Sequence, residues 1–183
     1  MSTVDLHEVW LRGALEGYSP VVMPAAHALL QVREDLERLA RTVPPGQVWA
    51  RPGGAASIGF HVRHTGGALD RLLTYARGET LSDAQLQVLR AESEPGDPPV
   101  SLEALVAEVV RVVDRALDQL RATVPDRVFD DRRVGRAGLP STVLGLIVHA
   151  AEHSTRHAGQ AITTALILRE PFFSESARAR PAR

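Results

Sequence analysis

The chain has 183 residues with a formal net charge of −1, and its 44% hydrophobic and 23% charged content suits one globular domain with its own core and excludes a disordered polyelectrolyte. Arginines are interleaved with acids, as in Arg33-Glu34-Asp35-Leu36-Glu37-Arg38, which gives no basic face for nucleic acid, and no apolar run reaches the ~20 residues of a membrane span. Cysteine is absent, so disulfides, thiolate metal sites and a cysteine nucleophile are excluded together: any metal must sit on nitrogen or oxygen, and any thiol must come from outside.

In chain order, residues 1–10 carry Asp5, His7 and Glu8 where a signal peptide needs a basic start and an apolar run, so a cytoplasmic protein is expected. Ser19-Pro20 reads as a helix cap followed by proline at the first helical position. Val22, Ala26, Leu29, Leu36 and Leu39 then recur at helical spacing up to Val43. Pro44-Pro45-Gly46 ends that helix, and a loop through Trp49 leads to Ser57, the expected cap of a second helix with Ile58, Val62, Leu69, Leu72, Leu73 and Ala76 on its core face. Gly78 closes it. Ser82 is expected to cap a short helix to Leu89, and Pro95-Gly96-Asp97-Pro98-Pro99 breaks the chain again.

Ser101 opens a third long helix whose apolar stripe includes Leu102, Leu105, Val109, Val113 and Leu120, ending before Pro125. Residues 126–138 read as loop, with a brief extended piece at Val128-Phe129. Leu139-Pro140-Ser141 is expected to start a fourth helix of about 28 residues, roughly 42 Å long at 1.5 Å per residue. The segment 174–183, rich in arginine and alanine, is expected to be a frayed tail beyond a single domain over 1–173. With 4% aromatics and short β-branched runs, the pattern predicts an all-α four-helix bundle.

Five of the seven histidines fall on two of these helices. Random placement would yield about 0.26 pairs at i,i+4 spacing, and the chain has two, 149/153 and 153/157. Positions four apart lie about 40° from each other on a helix, so His149, His153 and His157 form one ridge on which neighbours can share a metal. His61 and His64 flank the apolar face of the second helix, from which they can point across the bundle at that ridge. Two neutral imidazoles one turn apart, completed by a third from another helix, suit a divalent first-row ion such as zinc or nickel and leave a position open for water or substrate. Periodicity does not choose between the two pairs, or between His61 and His64. His7 and His27 are isolated and read as ordinary hydrogen-bonded residues.

The fourth helix reads Glu152-His153-Ser154-Thr155-Arg156-His157-Ala158-Gly159-Gln160, which resembles the E-H-x-x-x-H-x-G-Q signature of the DinB/YfiT-like superfamily. Ser57 with His64 seven residues on is similar to that superfamily's first motif. The resemblance implies a DinB/YfiT-like four-helix bundle with a long crossover between helices two and three, frequent homodimers, and one metal on His64, His153 and His157. It further implies metal-dependent transfer to a low-molecular-weight thiol of the mycothiol or bacillithiol type as an activity, with a small molecule as substrate.

Under that reading His61 or His149 carries protons, Arg63 or Arg156 contacts an acidic thiol cofactor, and Tyr75 lines the pocket. Two other readings compete. Glu152 can serve as base for a metal-dependent hydrolase, although it lies about 100° round the helix from His153. A non-enzymatic, stress-related metal-binding protein is the other.

Overall fold

A computed structural model describes residues 7–169; the tail expected over 174–183 lies outside that range. The elements are α1 (Met23–Ala40), α2 (Ile58–Ala76), the short α3 (Asp83–Arg90), α4 (Leu102–Arg121), an antiparallel hairpin of β1 (Asp131–Val134) and β2 (Leu139–Thr142), and α5 (Val143–Arg169). The architecture is therefore mostly helical. No described helix is long and apolar enough to cross a membrane.

Three helix starts follow directly from a serine. Ser57, Ser82 and Ser101 each accept a hydrogen bond from the backbone N–H three residues on, satisfying one of the donors that a helix leaves unpaired at its N-terminus. At Ser82 the Gln85 side chain answers in return, which completes a capping box.

The start of α1 departs from expectation. It begins at Met23 rather than Pro20, and Ser19 Oγ is buried without a partner. The cause is Pro24: inside a helix begun at Pro20 it would have no N–H to give to the Pro20 carbonyl and its ring would press on that oxygen, whereas at the first turn of a later helix neither matters. The far end also comes earlier, at Ala40.

A second correction concerns 128–141. The extended piece lies at Asp131–Val134, not at Val128-Phe129, and Leu139-Pro140-Ser141 is not helical but forms the return strand, with Pro140 opposite Arg133. Gly135 and Gly138 adopt positive φ at the turn, a backbone state that an L side chain disfavours. In a two-stranded sheet both strands are edges, so a proline without an N–H is tolerated. The following helix is capped by Thr142, whose Oγ1 accepts from Gly145 N at 3.0 Å.

The four long helices close around one core. α2 packs against α5 and α4, and α1 packs against the same two. Leu29 and Leu36 of α1, Ile58 and Leu69 of α2, Val113 and Leu120 of α4 and Ile147 of α5 are fully buried between them. Trp49 pins the start of α2. Its Nε1 donates to the Val100 carbonyl at 2.9 Å, and its ring lies so close to Gly59 that a Cβ there would come within 2.8 Å.

Candidate metal centre

The site forms where α2 and α5 pack, the most extensive helix contact in the structure. Each helix contributes residues one turn apart: Phe60 and His64 from α2, His153 and His157 from α5. One ligating nitrogen each from His64, His153 and His157 lies within 4.8 Å of the others. His64 Nε2 and His153 Nε2 are 2.8 Å apart. Tetrahedral coordination at Zn–N distances near 2.0–2.1 Å would place ligand nitrogens about 3.3 Å from each other, so the His64–His153 pair at 2.8 Å would open slightly to admit an ion. The Phe60 ring stacks on His64 at 5.3 Å and meets His61 and His157 edge-on, walling the cluster with apolar surface.

Fixed donors and acceptors assign the protons of the metal-free cluster. Glu92 Oε2 lies 2.6 Å from His64 Nδ1, and a carboxylate accepts, so His64 carries its proton on Nδ1 and turns the lone pair of Nε2 toward His153. Arg156 can only donate, and its Nη2 lies 3.0 Å from His153 Nδ1; His153 therefore holds its proton on Nε2 and donates it to His64. His157 is held from behind by His61, Nδ1 to Nδ1 at 3.1 Å, which leaves its Nε2 free. To ligate through Nε2, His153 would have to move its proton to Nδ1 and Arg156 would have to let go. Arg156 already donates to Glu152 at 3.0 Å and has somewhere to stay.

Burial favours the neutral form, which a ligand must have, at His61, His153 and His157. Burial, followed by the neighbouring His64, lowers the pKa of His61, and burial with His64, Arg156 and His149 lowers that of His153. His157 is pushed furthest, to about 4, by burial first and then by His64, His153 and His61. The unfolded chain takes up these protons near pH 6.5, whereas the folded metal-free chain resists them, so stability is highest above pH 6.5 and falls as the pH drops toward 4. Urea midpoints of metal-free protein should decline across that window, and His157→Gln should flatten the decline; equal slopes for variant and parent would contradict the assignment.

Two residues of the site carry no local sequence signal. Glu92 follows α3 and is 3% exposed, and its second oxygen accepts from Arg71 Nη1 at 2.7 Å. Gly67 makes room for this pair, since a Cβ there would stand 2.5 Å from Glu92 Oε1 and 2.8 Å from Arg71 Nη1. Arg63 ties down the same turn by donating to the carbonyls of Ala91, at 2.8 Å, and Glu94, while its guanidinium lies 4.7 Å over the Trp49 ring. A carboxylate that fixes a ligand histidine's tautomer is a recurrent feature of metal sites.

The remaining expected site residues are distributed unevenly. His61 is buried within the cluster. His149 is exposed at its edge, 5.4 Å ring to ring from His153, with Nδ1 3.5 Å from Glu152. Arg63 and Arg156 are engaged as described. Tyr75 is not brought to the histidines: it sits eleven residues beyond His64 on α2, about 16 Å along the axis, and packs against the core. Glu152 is about half exposed and is shared by Arg156 and His149. His27 donates to the Gly13 carbonyl at 3.0 Å, an ordinary structural bond.

A family model described as the DinB superfamily matches residues 28–161, a span that takes in both histidine-bearing segments and most of the chain. No curated protein matches the chain significantly.

Proposed function

The chain belongs to the DinB superfamily, and from that premise we propose that it holds one divalent first-row metal ion on His64, His153 and His157 and activates an external low-molecular-weight thiol for S-transfer. We read the four long helices as the four-helix bundle of that superfamily, with residues 77–101 as the crossover. One observation carries the metal reading: three imidazoles from two helices converge, two of them oriented from behind by Glu92 and His61, and among the described residues no fourth ligand completes the set. A closed structural site would have four protein ligands.

A bound divalent ion supplies the Lewis acidity that favours a thiolate over a thiol. The chain's own groups do the rest. His149, at the exposed edge of the cluster, can take the thiol proton and pass it to solvent, whereas the acceptor nitrogen of His61 is engaged by His157. Arg156, about half exposed, can meet an acidic thiol by exchanging its bonds to His153 and Glu152 for the ligand's acid group. The sulfur forms a bond to an electrophilic carbon, and the displaced group leaves with the bonding pair. A protein without cysteine needs that sulfur from outside. The hydrolase reading is weaker, because Glu152 is already committed to Arg156 and His149.

Incubating metal-loaded protein with mycothiol, bacillithiol or glutathione and a panel of alkylating electrophiles tests the activity. Metal-dependent thiol consumption that disappears in His153→Ala is expected. Conjugation no faster with metal than without it, for every thiol, would overturn S-transfer while leaving the metal site standing.

A further inference from the structure

A cavity of about 600 Å³ lies on the flank of α2 that faces α4, covered by α3 and the turn after it. Its size falls within the roughly 300–1,000 Å³ of small-molecule sites. Leu105, Val109 and Val112 of α4 form an apolar wall, and Gly66 and Gly67 of α2 leave the floor without side chains. Ala84 and Val88 of α3, both exposed, line it from the outside.

One buried charge borders this space. Arg71 is 8% exposed and spends Nη1 on Glu92, while its Nε and Nη2 have no protein partner among the described residues. These two donors are left to solvent at the edge of an apolar wall, where an acceptor on a ligand could replace water. The other charged groups here are either occupied or at the surface. Asp70 accepts from Gln85, Glu108 from Arg111, and Arg63 is tied to two carbonyls. Glu94 and Arg115 are exposed.

We infer that this cavity binds a compact apolar carboxylate, an alkyl or aryl acid, with the carboxylate on the Nε–Nη2 edge of Arg71 and the hydrocarbon against Leu105, Val109 and Val112. That edge presents two parallel N–H donors, the geometry that a carboxylate accepts bidentately. A neutral alcohol of the same length fills the apolar wall but offers a single oxygen and no charge to the two donors. The site lies across the Arg71–Glu92 pair from the histidines and does not depend on the metal reading.

Octanoate, 1-octanol and acetate titrated into the full chain, with calorimetry and amide chemical shifts as readouts, test the site. Octanoate should saturate below about 5 mM, at least tenfold tighter than octanol, and shift amides of Gly66, Gly67 and Val109. Arg71→Met should bring octanoate down to the level of octanol. Because Arg71 also supports Glu92, Ala84→Trp provides a second variant: it changes an exposed residue, fills the cavity from outside, and should abolish octanoate binding in a folded protein. Octanol binding as tightly as octanoate, acetate producing the same shifts, or Ala84→Trp binding octanoate normally would each overturn the proposal, as would no saturation at all.

Discussion

Replacing His64, His153 and His157 together by alanine is expected to reduce bound metal from about one ion per chain to the background level, measured by elemental analysis of purified protein. The three nitrogens within 4.8 Å of each other are the only such group among the described residues, so no alternative set of side chains stands ready to replace them. Neighbouring histidines provide the contrast. His149→Ala should keep its metal, because that ring is exposed and paired with Glu152. His61→Ala should lose affinity without losing the site, because its nitrogen supports His157 from behind. Far-ultraviolet circular dichroism should remain helical in the triple variant, since the residues that close the core are leucines, isoleucines and valines elsewhere on the same helices. Equal metal content in the parent and the folded triple variant would refute the site.

The second large effect is expected at Glu92, a residue that touches no substrate and would not itself ligate. Glu92→Gln removes the charge that holds the His64 proton on Nδ1, and metal affinity should fall about 10- to 100-fold. Gly67→Ala should fall in the same direction by a different route, because its Cβ would stand 2.5 Å from the Glu92 oxygen and push the pair away from α2. Gly66→Ala is the matched control: its Cβ would meet Val109 Cγ2 at 3.3 Å, with Val109 Cα at 3.7 Å and Val112 Cγ2 at 3.9 Å beyond it and no atom of Glu92 or Arg71, so metal affinity should be unchanged. Glu92→Ala is less informative, because it strands Arg71 as a buried unpaired charge at a cost of about 3–5 kcal/mol in stability. Metal titrations that return the parent affinity for both folded Glu92→Gln and Gly67→Ala would dismiss Glu92 as an orienting group.

The Arg156 contact provides a further check on both predictions. In the metal-free cluster His153 carries its proton on Nε2 because Arg156 occupies Nδ1. Any variant that weakens Arg156 without disturbing Glu92 therefore acts on the opposite ligand from Glu92→Gln, which keeps the two orienting effects experimentally separable.

Much of this protein is written in local sequence. Ser57, Ser82 and Ser101 mark helix starts because a cap is a contact over three residues, and the 149/153/157 ridge is visible because a helical turn is a contact over four. The two boundary errors were also local in origin: Pro24 outranked the Ser19-Pro20 signal, and the glycines at 135 and 138 turned a predicted helix start into a hairpin. The centre's other half was beyond such reasoning. That His64 rather than His61 shares its Nε2 with His153 depends on the rotation of α2 against α5, which the packing of two apolar faces sets. Glu92 reaches His64 across 28 residues only because the chain after α3 folds back over α2, where Gly67 leaves room and Arg63 and Arg71 hold it. The sequence by itself determined which residue types could bind a metal and on which helices they lie. The tertiary structure alone decided which nitrogens face one another and which carboxylate orients them, because those contacts join segments that no periodicity links.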